Sequence, residues 1–168
     1  MRRLSLALVA VLPLLAGCSK PVDLKQVLQV TDLSGGYHDA GILEGRNKIV
    51  PTITFRIKKS TDDSLRPLSV NIVFKQLPKP GTSVAPGQPA ENEFDGVFKQ
   101  SVPFNGDQTD LLTVKATAGY TGDPGLSRAD LLKHSQFQDM RVHVFAKHSS
   151  SLWVEIAQFD VPRQILTQ

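Results

Sequence analysis

The sequence predicts an all-β fold, a two-sheet antiparallel β-sandwich of about seven strands with one short helix. Three observations carry this. Apolar residues recur with period two through most of the chain; clusters of Ser, Asp, Gly and Pro separate the alternating segments; and a single stretch carries a helix-start signature. The chain has 168 residues, 40% apolar and 21% charged, which suits one folded domain and excludes a structureless chain. A body of this size buries roughly two thirds of its unfolded surface, so one core suffices, and the single cysteine excludes a disulfide within the chain.

The elements follow in order. Val22, Leu24, Leu28 and Val30 share one parity. In residues 49–59, Ile53, Phe55 and Ile57 fall on one face and Thr52, Thr54, Arg56 and Lys58 on the other; in residues 68–75, Leu68, Val70, Ile72 and Phe74 alternate with Ser69, Asn71, Val73 and Lys75. These are the two clearest strands, and the polar segment 60–67 between them reads as a hairpin-like return. Residues 78–89 hold four prolines and two glycines and read as a loop. Residues 94–102 form a weaker strand in which Gly96 marks a bulge. Residues 109–118 alternate again, with either Leu112, Val114 and Ala116 or Leu111 and Thr113 facing inward.

Ser127 and Asp130 make a capping box ahead of Leu131 and Leu132, predicting a helix of about two turns that plugs one end of the sandwich, with Phe137 beneath it. Met140, Val142, Val144 and Ala146 then alternate with Arg141, His143, Phe145 and Lys147. A serine turn at 149–151 leads into residues 152–161, so the two runs read as a terminal hairpin, with Trp153 read as a core residue between the sheets in preference to an exposed anchor.

The N-terminus has a different character. Arg2 and Arg3 precede an apolar run from Leu4 to Leu15, then Ala16 and Gly17 stand ahead of Cys18. A run of about twelve residues is too short to cross a hydrocarbon core and reads as a secretion signal. Leu15-Ala16-Gly17-Cys18 resembles the lipobox of bacterial lipoproteins. That resemblance implies cleavage before Cys18, a diacylglyceryl group on its sulfur and acylation of its amine. By the sorting rule of enteric bacteria, Ser19 in place of Asp implies the outer membrane, facing the periplasm. The domain reading is therefore a signal peptide over 1–17, a short tether over 18–21 and a sandwich over 22–168. Ser19, Lys20 and Pro21 span only about 10 Å when extended, which holds the body close to the bilayer.

Removal of the signal takes two of the 19 basic residues and none of the 16 acidic ones, leaving 17 against 16, a formal charge of +1. No basic run exceeds two residues, so neither nucleic acid nor polybasic lipid recognition is expected.

Residues 53–74 run from one alternating strand through a polar turn rich in Ser and Asp and a leucine to a second strand ending in an aromatic. This is similar to the FxLYD-type and related immunoglobulin-like domains of bacterial envelope proteins. The resemblance implies an immunoglobulin-like sandwich that binds or scaffolds rather than catalyses.

Chemistry-bearing patterns are sparse. The histidines at 38, 134, 143 and 148 lack metal-ligand spacing, and His143 reads as solvent-facing. There is no G-x-S-x-G elbow, and Asp62-Asp63 and Glu91-x-Glu93 read as solvated loop carboxylates. No catalytic residue, cofactor site or metal site is expected. Tyr37 and Tyr120, each between glycines, are candidate binding-loop contacts. Their competing reading is that the glycines supply positive φ at turns while each tyrosine closes an end of the core. The functional expectation is a lipid-anchored, non-enzymatic binding or scaffold module with an envelope protein as partner. The alternative is a periplasmic carrier or chaperone of a small apolar ligand such as a lipid.

Overall fold

The structure, a computed structural model, describes residues 22–61, 64–87, 89–149 and 151–167. Cys18 and the residues read as signal and tether lie outside the described residues. Within them, eleven strands form two sheets. One sheet holds β1 (Leu28–Leu43), β2 (Arg46–Lys59), β5 (Phe104–Asn105), β6 (Gln108–Thr109), β7 (Leu112–Lys115), β8 (Tyr120–Gly122) and β11 (Ile165–Leu166). The other is ordered β10-β9-β3-β4, from Val154–Asp160, Met140–His148, Leu68–Gln76 and Asn92–Val102. Two short helices complete the fold, α1 (Leu24–Val27) and α2 (Arg128–Lys133). No helix among the described residues is long and apolar enough to cross a membrane.

The inward faces match the alternation. Ile53, Phe55 and Ile57 of β2, Leu68, Val70, Ile72 and Phe74 of β3, and Met140, Val142, Val144 and Ala146 of β9 are all fully buried in one core. Leu112, Val114 and Ala116 face inward, while Leu111 is exposed. Burying each large aliphatic side chain is worth about 1.5–3 kcal/mol, so this face sets the arrangement of the two sheets.

The partnering differs from the sequence reading in four places. β2 and β3 are not a hairpin: they belong to opposite sheets, and Leu65, between them in the chain, is buried. Alternation reports which face is buried and not which strand lies alongside. The first strand begins only at Leu28, because Asp23 accepts from the Lys25 amide and caps the helical turn of α1. The bulges of β4 fall at Phe94 and near Ser101 (φ 55°), whereas Gly96 is regularly paired with Val73. Residues 108–122 are three strands laid end to end along β2 instead of one.

Pro51 explains that last interruption. The Tyr37 amide, opposite Pro51 on β1, donates to the Gln164 carbonyl, so Pro51 turns its own nitrogen and carbonyl toward the β7–β8 side. There the carbonyl accepts from Ala116 (3.0 Å), but the prolyl nitrogen has no proton to give. The ladder stops at Lys115 and resumes at Tyr120. The released amides of Thr117 and Ala118 are capped by the Asp95 carboxylate from β4 of the other sheet, which also accepts from the Thr117 hydroxyl (2.9 Å) and the Gly96 amide (2.8 Å).

Partial burial pushes the Asp95 carboxyl up, but these hydrogen bonds outweigh it and hold the group below the ordinary carboxylate range. A folded-state value below the unfolded one of about 3.9 means that the clasp contributes fully from about pH 5 upward and is lost as pH falls through the folded value. Asp95→Asn should lower stability by about 1–2 kcal/mol at neutral pH. In urea denaturation the gap to wild type should close on acidification, and a pH-independent gap would contradict the clasp.

Candidate binding cleft at the helical end

The sandwich has two distinct ends. At one lie α1, the end of β2, the start of β3 and the end of β9, since Leu28 pairs with Lys59 and Leu68 with His148. At the other lie the β1–β2 hairpin tip, β8 and α2. The predicted cap forms there: the Ser127 hydroxyl accepts from the Asp130 amide (3.1 Å) and donates to the Asp130 carboxylate (2.5 Å). Leu131, Leu132 and Phe137 are buried beneath the helix. Arg128, at the first helical position, pairs with Asp39 of β1 at 3.0 Å. The Gly41 amide and then this arginine hold the Asp39 carboxyl below its ordinary range.

Asn47 fixes the segment leading into the helix. Its side-chain amide donates to the carbonyls of Leu126 (2.8 Å) and Pro124 (3.1 Å), which the β2 register brings next to it. The result is a cleft of about 240 Å³ whose apolar lining includes Tyr120, Leu126, Leu131 and Phe137, with Arg46 and His134 among its polar groups. The hairpin that carries Arg46 also exposes Ile42 (66%) and Leu43 (50%).

The two candidate tyrosines meet here in different roles. Tyr37 is not on a loop: residues 35–39 lie inside β1, and its side chain is fully buried, so it closes the core and offers no contact surface. Tyr120 begins β8 and lines the cleft. Its hydroxyl donates to the Gln138 carbonyl (2.7 Å) and accepts from the Gln76 side chain (3.2 Å). Its ring stacks on Phe94 (5.6 Å, 19°) and packs against Phe137 (4.5 Å), which meets Tyr37 edge-on at 5.2 Å. Burial raises both hydroxyl pKa values, that of Tyr37 most strongly.

The glycines flanking Tyr120 serve close approach and not positive φ, whereas Gly41, beyond Tyr37, has φ 80°. A Cβ at Gly119 would overlap the Ile49 carbonyl, and one at Gly122 would overlap the Leu131 side chain. They let β8 lie against β2 and α2, which sets the cleft wall.

A second polar cluster lies on the outer face of the four-stranded sheet. His143 is buried there and is not solvent-facing: Nε2 meets Glu91 (2.7 Å) and Nδ1 meets Glu155 (2.9 Å). Glu91 also meets Arg141 (3.1 Å) and Lys75 (3.7 Å), so it is a half-buried partner and not a solvated loop carboxylate. Both imidazole nitrogens are occupied by carboxylates that diverge across the ring, a geometry suited to pinning the end of the 77–91 loop and not to delivering a proton. Among the described residues no three His, Cys, Asp or Glu side chains converge as metal ligands. Period-two alternation places His143 on the outer face but gives no sign of Glu91, 52 residues away.

Trp153 also departs from expectation. A register shift between Glu155 and Ala157 breaks the parity of β10, and Trp153 lies on the outer face beside Phe98. Comparison with protein-family models, with curated proteins and with solved structures returns no match to this chain.

The Tyr37 hydroxyl is buried without a hydrogen-bond partner among the described residues. Tyr37→Phe should therefore leave stability unchanged or raise it by up to about 1 kcal/mol, whereas Tyr120→Phe, which strips two hydrogen bonds, should cost about 1–2 kcal/mol. Equilibrium unfolding of the two variants gives the order, and the reverse order would refute the assignment. His143→Ala should cost about 2 kcal/mol and speed limited proteolysis within residues 77–91, because Glu91 loses the partner that pins the loop.

Proposed function

We propose that this chain is a lipid-anchored, non-enzymatic binding or scaffold module of the bacterial cell envelope, held by Cys18 in the outer membrane and facing the periplasm. The anchor rests on the Leu15–Cys18 motif behind a basic, apolar leader. One structural observation carries the binding role. The first described residues pack at the α1 end, while the cleft and the exposed Ile42 and Leu43 lie at the opposite end, turned away from where the tether leaves. An envelope protein that seats an apolar side chain in the cleft, near Arg46 and His134, is the partner this surface suits. The immunoglobulin-like resemblance agrees with a scaffold role. The sequence offers no catalytic constellation, and His143 and Asp95 are committed to structural contacts.

A carrier holding a lipid between the sheets has less support, because the facing side chains of β2, β3 and β9 already fill that space.

Cys18→Ser should abolish incorporation of labelled fatty acid into the protein, and undiminished labelling of this variant would overturn the anchor. With the anchored chain, crosslinking should recover a stoichiometric partner that Leu43→Glu weakens by about tenfold or more. Equal recovery with this variant would overturn the assignment of the cleft end.

A further inference from the structure

We infer that the outer-face patch of Leu152, Trp153, Phe98 and Lys147 is a lipid-contact surface that seats the α1 end of the sandwich in the headgroup region of the bilayer. The inference rests on the lipid-anchor reading. Leu152 is 86% exposed, Phe98 55% and Trp153 40%, a cluster of apolar side chains on an otherwise mixed surface. Trp153 packs edge-on against Phe98 (ring centroids 5.8 Å, 82°), and the Lys147 ammonium stands 5.1 Å from the tryptophan ring. An indole and a phenyl ring beside a lysine that can extend its charge toward phosphate suit the water–hydrocarbon boundary.

The position of the tether selects lipid over protein as the occupant. α1 packs on β9 and β10, the hairpin whose turn carries Leu152 and Trp153, and Val22 packs on the core just ahead of it. Three residues separate Val22 from Cys18, about 10 Å when extended. A lipidated Cys18 thus holds this end within reach of the headgroups, leaving little room for an intervening protein. Lys25, exposed on α1, adds a second cation at the same end.

Trp153 is the only tryptophan and so reports on its own position. The full lipidated chain would be reconstituted into vesicles of phosphatidylethanolamine and phosphatidylglycerol, with and without brominated acyl chains. The expected result is a blue-shifted emission that brominated lipid quenches. A Trp153→Phe, Ile42→Trp variant, carrying its indole at the far tip, should not be quenched. Leu152→Ser should weaken binding of the unlipidated Cys18→Ser chain to the same vesicles by about tenfold. Unquenched Trp153 in a protein whose intact mass shows the lipid would overturn this inference alone, as would equal quenching at position 42. An intact mass showing an unmodified Cys18 would overturn the anchor reading whatever Trp153 does.

Discussion

A prolyl nitrogen in the central strand is the constraint from which much of this architecture follows. β2 is paired along both edges, and at Pro51 the side facing β7 and β8 has an acceptor but no donor. The neighbouring chain leaves the ladder for residues 116–119 and must find other partners for the amides it frees. Asp95, on the edge strand of the opposite sheet, supplies them. A missing hydrogen bond within one sheet becomes a bond between two. The return to β2 at Tyr120 then requires glycine at 119, where a Cβ would meet the Ile49 carbonyl, and it presents the Tyr120 ring to Phe94 and Phe137. The wall of the cleft follows from that step.

The part of this fold that could be read from the sequence is the part fixed by local periodicity. Ile53, Phe55 and Ile57, or Val142, Val144 and Ala146, alternate because one side of each strand meets the core, and that requirement is visible in any short window. The Ser127–Asp130 cap is equally local. What could not be read depends on chain segments far apart. The assignment of β2 and β3 to different sheets leaves no trace in either strand, and the pairing of His143 with Glu91 spans 52 residues. Tyr37 looked like a loop residue because glycine pairs usually mark turns, yet Gly35 and Gly36 lie within β1, where β11 runs alongside. Trp153 looked like core until the irregularity near Ile156 reversed the parity of β10, and nothing in that segment announces the shift. Of the candidate site, Tyr120 was legible as a tyrosine between glycines, whereas Arg46, Leu126 and the exposed hairpin tip are brought together only by tertiary structure.

The polar contacts are spaced so that each closes a different seam. Arg163 grips Asp139 through two nitrogens, donates to the Leu132 carbonyl and lies 5.0 Å from the Phe137 ring, tying the C-terminal segment to the helical end. Asp95 joins the sheets beside β7 and β8, and Glu91 with His143 closes the outer face of β3 and β9. These groups share one feature: their donors and acceptors are turned toward one another and away from any common cavity. Partly buried charges arranged in this way fix one packing of the sheets, at a cost in desolvation that the hydrogen bonds offset.

The sheet edges decide where such a molecule can meet others. An open, regular edge would invite strand addition, but three of the four edges here are blunted. β4 carries two bulges, with Asp95 turned toward the neighbouring sheet. β10 is irregular near Ile156 and is flanked by α1 and β1. β1 is covered at Tyr37 and His38 by β11, a strand of only two residues. With these edges withdrawn, the exposed apolar side chains gather mainly at the ends: Ile42 and Leu43 at one, and Leu152, Trp153 and Phe98 toward the other. The 14 residues of β2 separate those ends by about 45 Å, more than the thickness of a headgroup layer. With the sandwich upright on its α1 end, a flat membrane meets only the nearer of the two. Two dissimilar surfaces on opposite ends of a rigid sandwich suit a body that is seated at one end and read at the other.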